Sequence, residues 1–313
     1  MTGAADRLGI GLAALGRPAY INLGRGPALP AERDVAAMRE ATWQVLDRAY
    51  QLGIRWIDVA RSYGRAEEFL AGWLSAREPA DITVSSKWGY AYVGDWRIDT
   101  DTHEVKEHSV ERFRLQRGES WRLLGDAIDV YQVHSLTVDS PIFGDEALLA
   151  ELADLTATGV RLGFSTSGPR QADTIRRALE LDVDGERLFG AVQSTWNPLE
   201  PSAGAALAAA HTAGVHVLVK ESLANGRLVA EPPTEVSEIA ERHHAGTDAV
   251  ALAATLRQPW ADTVLLGPAS VAQLTANVAA LRLELTEDEL AALGGLAEPP
   301  DTYWARRAAL TWQ

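Results

Sequence analysis

The chain contains no cysteine, which excludes disulfides, thiolate metal sites and cysteine nucleophiles. It is also poor in positive charge: 29 Lys and Arg stand against 43 Asp and Glu, for a formal net charge of -14. Phosphate backbones and anionic membrane surfaces are bound by clustered Lys and Arg, so no nucleic-acid or membrane partner is expected. No apolar run approaches the ~18 residues that a membrane span requires. Met1–Leu8 lacks the charged start and apolar core of an export signal. There is no repeat of fixed period and no HExxH. His243 and His244 are adjacent on a predicted helix end and so cannot share a face, and no metal site is expected. Gly163-Phe-Ser165-Thr-Ser167 lacks the second glycine of a nucleophile elbow. These absences leave a cytoplasmic enzyme acting on a small molecule.

What is present is an alternation of short β-rich runs with longer helical patterns, the signature of βα units closing a parallel sheet. Strands are predicted at Leu8–Ala13, Trp56–Val59, Ile82–Lys87, Ala127–His134, Val160–Ser165, Ala191–Trp196, Val215–Lys220 and Thr263–Leu266. Helical patterns follow each, starting with one near Ala31–Leu52. Eight such units predict a single-domain (β/α)8 TIM barrel over the 313 residues rather than an open doubly wound sheet. Two long stretches, Tyr90–Lys106 and Ala224–Thr234, follow strand C-termini, the face on which barrel active sites collect. They are either substrate walls or tolerated insertions. The tail over residues 297–313, with Tyr303, Trp304 and Trp312, is placed to fold back over the barrel mouth. The sequence Gly9-Ile-Gly11-Leu-Ala-Ala14 fits a loose dinucleotide-binding pattern, but Pro18 and the glycines after it argue for a loop where that pattern needs a helix.

Four groups capable of proton chemistry end successive strand units: Asp58, Tyr63 just behind it, Lys87 and His134. A phenol of ordinary pKa ≈ 10 is a weak acid near neutrality unless a cation favours its phenolate. Lys87 would supply that cation, Asp58 would hold Lys87 charged, and His134 would hydrogen-bond a carbonyl oxygen beside the Tyr63 hydroxyl.

The run GIRWIDVARSYGRAEE, continued by VSSKWG, IDVYQVH, RLGFST, AVQSTWNPL, LANGRL, LLGPASVAQLTANVAAL and LTEDELAAL, resembles the aldo-keto reductase superfamily over nearly the whole chain, its bacterial members and those of the potassium-channel beta-subunit type included. That resemblance implies an NAD(P)H-dependent reductase of aldehydes or ketones with Tyr63 as general acid. It implies that Ser165, Thr166 and Gln193 hold the nicotinamide carboxamide, with Lys220 beside the ring. The loop containing Leu223, Gly226 and Arg227 would cover the pyrophosphate, and Gly267, Ser270, Gln273 and Asn277 would meet the adenosine end. NADP(H) is the family habit. NAD(H) stays open, because Gly267–Asn277 offers no Lys or Arg to a 2′-phosphate and only Arg227 stands nearby.

Two departures stand out: Thr166 replaces a usual Asn, and Lys220 replaces a ring-stacking aromatic. Either the cofactor ring rests on another group such as Trp196, or Lys220 turns to Glu221 or the phosphates. Trp88, Trp96, Trp196 and Trp304 are expected to line a substrate pocket, whereas Trp56, Trp73 and Trp121 are read as packing. His103 and His108 are read as loop residues, exposed or pocket-lining. A cofactor-binding regulatory subunit and a barrel isomerase or lyase remain as alternative functions.

Overall fold

The computed structural model describes residues 5–24 and 26–313. The first half of Met1–Leu8 therefore lies outside the described residues. Eight parallel strands close a barrel: β1 Leu8–Gly11, β2 Trp56–Asp58, β3 Thr83–Trp88, β4 Ile128–Leu136, β5 Arg161–Thr166, β6 Ala191–Thr195, β7 His216–Lys220 and β8 Thr263–Leu266. Each strand pairs with its sequence neighbours, and β1 pairs with β8 to close the ring. The helices α1 Val35–Gln51, α2 Ala66–Arg77, α3 Val110–Leu124, α4 Glu146–Thr156, α5 Gln171–Leu179 and α6 Gly204–Thr212 follow the first six strands. After β7 come α7 Arg227–Ala230, α8 Thr234–Arg242 and α9 Thr247–Leu256, and after β8 come α10 Val271–Val278, α11 Glu287–Gly294 and α12 Pro300–Ala308.

Local chemistry sets several boundaries. The first helical pattern begins at Val35 rather than Ala31 because the Asp34 carboxylate caps the helix, accepting from the Ala37 amide at 2.8 Å. Thr286 and Glu289 form a reciprocal capping box on α11. The long stretch after β3 is not structureless: Tyr90–Tyr92 and Glu104–Lys106 form an antiparallel hairpin standing above the barrel.

The barrel interior is layered. Val130, Ala191, Leu218 and Leu265 form an apolar cluster of their own, packed against Trp56. Residues two apart on a strand share a face. Two positions further along these strands stand Gln132, Gln193, Lys220, Gly267 and Asp58. An apolar floor therefore carries a polar layer directly above it, at the strand C-termini. The larger core lies between the barrel and its helices.

Among the described residues, no helix is long and apolar enough to cross a membrane, and no group of three or more His, Asp or Glu is placed to hold a metal ion.

Candidate active site

A cavity of ≈ 370 Å³ opens over the polar layer, and Asp58, Tyr63, His134, Ser165, Gln193 and Lys220 all border it. Beneath it, fully buried Lys87 binds the Asp58 carboxylate through Nζ and donates to the Val59 carbonyl oxygen at 2.8 Å. The other Asp58 oxygen accepts from Ser85 Oγ at 2.6 Å, Gln193 Nε2 at 2.9 Å and Gln132 Nε2 at 3.3 Å. Both oxygens of this carboxylate are thus hydrogen-bonded, which supports a charge buried there.

Tyr63 sits on a tight seam between the loops after β1 and β2. A Cβ on Gly16 would fall 2.3 Å from the Tyr63 carbonyl oxygen, and one on Gly64 would fall 2.5 Å from the Gly16 oxygen. The Arg65 amide donates to that same Gly16 oxygen at 2.7 Å. Only glycine allows this approach, and it fixes the phenol over the barrel. The Tyr63 hydroxyl lies 3.5 Å from His134 Nε2, while Ser62 Oγ lies 3.4 Å from His134 Nδ1. His134 ends the regular part of β4, whose pairing slips between Val133 and Leu136. Its carbonyl oxygen accepts from His108 Nε2 at 2.8 Å, and His108 is held on its other nitrogen by Ser140 Oγ at 3.0 Å.

The electrostatics add one group, Arg17, to the sequence reading. Burial, reinforced by the Asp58 charge, pushes the Tyr63 phenol well above its ordinary value. A further cation, Arg17, works against this rise: its guanidinium carbon lies 5.2 Å from the Tyr63 ring centroid. Lys87 also lies over the ring face, 4.9 Å from the centroid, with its own pKa drawn down by burial and supported by Asp58. Tyr63 therefore holds its proton firmly. Burial and the nearby Lys87, Lys220 and Arg17 charges hold the His134 imidazole well below its ordinary value, hence neutral.

Of the residues assigned to cofactor binding, Ser165, Gln193, Lys220, Leu223, Gly267 and Asn277 border the cavity. Ser165 Oγ accepts from the Ser135 amide at 2.8 Å, and the Asn277 amide donates to Asp248 at 2.7 Å. Thr166 does not border the cavity: its hydroxyl is bonded to Ser194 Oγ at 2.8 Å. Lys220 donates to Thr195 Oγ1 at 3.0 Å and lies 3.7 Å from Glu221. Arg227 is engaged by Glu298 at 2.5 Å. Gly226 closes the turn after β7 at φ +89°, where a Cβ would fall 2.4 Å from the Leu23 oxygen. Ser270 caps α10, and Gln273 Oε1 accepts from the Ala269 amide at 2.8 Å.

None of the four tryptophans assigned to the substrate pocket borders the cavity. Trp88 follows inward-facing Lys87 on the strand, so the pleat turns it outward onto Phe113 and His108. Trp196 packs edge-on against Trp260, Trp304 against Tyr303, and Trp96 donates to the Arg33 carbonyl oxygen at 2.7 Å. Nor are His103 and His108 solvated, both being buried.

The aromatic wall is Tyr20, Tyr63, Tyr90 and Trp312. Arg17 lies among them, its guanidinium carbon 4.8 Å from the Tyr20 ring and 4.7 Å from the Trp312 ring, with an ion pair to Glu104 at 2.9 Å. Trp312 is backed by His103, stacked at 4.1 Å. Arg307 of α12 grips Glu221, with Nη2 at 2.6 Å, and holds its carboxyl at about 2 together with Lys220, against the opposing effect of burial. Arg17, Tyr20, Tyr90, Glu104 and Arg307 carry no local sequence signal, because they converge from the loops after β1 and β3 and from the tail.

Two buried polar atoms bordering the cavity, Ser222 Oγ and Asn225 Oδ1, have no hydrogen-bond partner. Together with the Gln193 and Ser165 side chains they suit a ligand rich in amide and hydroxyl groups.

The family described as "Aldo/keto reductase family" matches residues 7–298. The chain is 25% identical over 302 residues to aldo-keto reductase str7 of Strobilurus tenacellus, covering 86% of this chain and 84% of that protein. It is 26% identical over 296 residues to the uncharacterized oxidoreductase YqkF of Bacillus subtilis, covering 84% and 90%. Among solved structures, the aldo-keto reductase AKR11C1 of Bacillus halodurans in its holo form superposes with a TM-score of 0.68 at 24% identity, covering 94% of this chain and 92% of that one. The glycerol dehydrogenase AKR11B4 of Gluconobacter oxydans gives 0.69 at 21% identity, covering 96% and 92%.

Proposed function

The chain belongs to the aldo/keto reductase family of oxidoreductases, and on that footing we propose that it reduces aldehydes or ketones with NAD(P)H, using Tyr63 as general acid. The observation that carries this reading is the meeting of Asp58, Tyr63, Lys87 and His134 beneath one cavity. A reduction needs a proton donor protonated at rest, and burial keeps Tyr63 so. It also needs a neutral donor to orient the carbonyl oxygen, and His134 is held neutral. As negative charge grows on that oxygen, the Tyr63 proton moves to it, and the Lys87 ammonium under the ring stabilises the phenolate left behind.

The bound nicotinamide would supply hydride to the carbonyl carbon. Gln193 and Ser165 would hold its carboxamide, and Ser222, Asn225, Ser270 and Asn277 the remainder of the cofactor. NADP(H) is favoured on family habit, with Arg227 as the candidate phosphate partner once freed from Glu298. The substrate is a small carbonyl compound, and the protein works in the cytoplasm. No metal is part of this chemistry.

The test is Tyr63→Phe. With aldehydes and NADPH the wild type should oxidise the cofactor, and the variant should lose about 10²- to 10⁴-fold in kcat while keeping its fold and cofactor affinity. Full activity in Tyr63→Phe would sink the assignment. Cofactor binding without turnover in the wild type would favour the regulatory-subunit reading.

A further inference from the structure

The charges of the active-site cavity are not all paired one to one. Asp58 is matched by Lys87 and Glu104 by Arg17. Glu221, however, faces both Lys220 and Arg307. Two cations thus share the one carboxylate of Glu221. Of the two cations on Glu221, Arg307 takes the strong bonds, with three contacts at 3.0 Å or less, while Lys220 stands off at 3.7 Å. Lys220 is therefore the less compensated of the two, and it hangs from the end of β7, fixed by Thr195 on β6.

Direct hydride transfer requires the nicotinamide ring to touch a carbonyl held by Tyr63 and His134, so the ring must lie in this cavity. The two redox states of that ring differ by one positive charge. We infer that Lys220 makes the cavity selective for the neutral reduced ring and repels the cationic oxidised ring, so that the used cofactor leaves readily and the enzyme is biased toward reduction. This rests on the nicotinamide reading above and adds to it a redox-state filter built from one side chain. In a cavity shielded from water, a unit charge opposing a unit charge is far less screened than in bulk solvent.

The filter has its own pH range. Burial chiefly, and the Arg307 and Lys87 charges, bring Lys220 down to about 8 against the support of Glu221. The other charged or titratable groups facing it are Arg307 on α12, Lys87 on β3 with Asp58 on β2, and His134 on β4. Arg307 stays charged, and His134 is already neutral in this range. Above about 8 Lys220 loses its proton, and the discrimination fades with it.

The experiment is equilibrium binding of NADPH and NADP+ to the full chain, without substrate, from pH 6.5 to 9.5. The wild type should bind NADPH about tenfold or more tightly than NADP+ at pH 7, with the ratio falling toward one at the alkaline end. Lys220→Met should give a ratio near one at every pH, and Lys220→Arg should keep the preference without the alkaline decline. NADP+ binding as tight as NADPH binding in the wild type at pH 7 would overturn the inference, and so would an undiminished ratio in Lys220→Met. The wild-type pH series carries the test even if a variant fails to fold. Failure of the protein to bind NADP(H) or NAD(H) in either redox form would overturn the nicotinamide reading itself.

Discussion

Lys87 points its ammonium at Asp58 in a pair buried under the cavity, and a backbone carbonyl, a serine and two glutamines add further hydrogen bonds to the pair. Removing one partner of such a pair leaves the other charge buried alone, at a cost of about 3–5 kcal/mol, whereas removing both charges is close to neutral. Lys87→Met should therefore lose both activity and roughly that much stability in urea denaturation. The double variant Asp58→Asn/Lys87→Met should regain most of the stability and none of the activity. A double variant as unstable as the single one would show that the pair's packing, not its charge balance, is what matters.

Trp312 and Trp88 should separate cleanly in kinetics. Trp312 borders the cavity between Arg17 and His103, so Trp312→Ala should raise KM for aromatic aldehydes about tenfold through loss of the stacked wall. Trp88 is buried against Phe113 on the far side of its strand. Trp88→Ala should cost about 3–5 kcal/mol of stability and leave KM unchanged. Substrate profiles and denaturation curves of the two variants check this, and a KM effect confined to Trp88→Ala would reverse the assignment.

Acid should destabilise the protein before its carboxylates titrate. Burial first, then the Lys106 charge, lowers His108 from 6.5 to about 4 in the folded state. A depressed histidine binds fewer protons folded than unfolded, so its contribution is fully present above about 6.5 and is lost as pH falls toward 4. The loss amounts to roughly 3 kcal/mol. His134 is shifted in the same direction and adds to it. His108→Asn should flatten, without abolishing, the slope of unfolding free energy over this window. An unchanged slope would mean that His108 is not the titrating group.

Much of this was legible in the sequence because strand alternation and strand-end placement are local signals. The eight strands could be counted, and Asp58, Lys87 and His134 could be placed at their ends. The same alternation was available for Trp88, which must face away from Lys87, but aromatic content near the strand tops obscured it. Thr166 next to Ser165 is the same case. The tail with Trp312 and the Tyr90–Lys106 stretch are placed at the barrel mouth by the sequence, but the meeting of Arg17, Glu104 and Arg307 there is not legible, since no local pattern announces a contact between the loop after β1, the hairpin after β3 and the C-terminal helix. For Tyr63, strand order places Lys87 and Asp58 nearby, but only packing shows that Arg17 lies over the phenol as well.

The layered barrel interior has a consequence for change over time. Val130, Ala191, Leu218, Leu265 and Trp56 hold the strands together from below, while Gln132, Gln193, Lys220 and Asp58 stand one pleat higher on the same strands. Mutations in the upper layer outside the Asp58–Lys87 pair can redirect the reaction without loosening the ring that supports it. Scaffold and chemistry are thus inherited on one set of strands yet are free to evolve separately, and a protein engineer seeking a new reaction would exchange the upper positions and leave the floor alone.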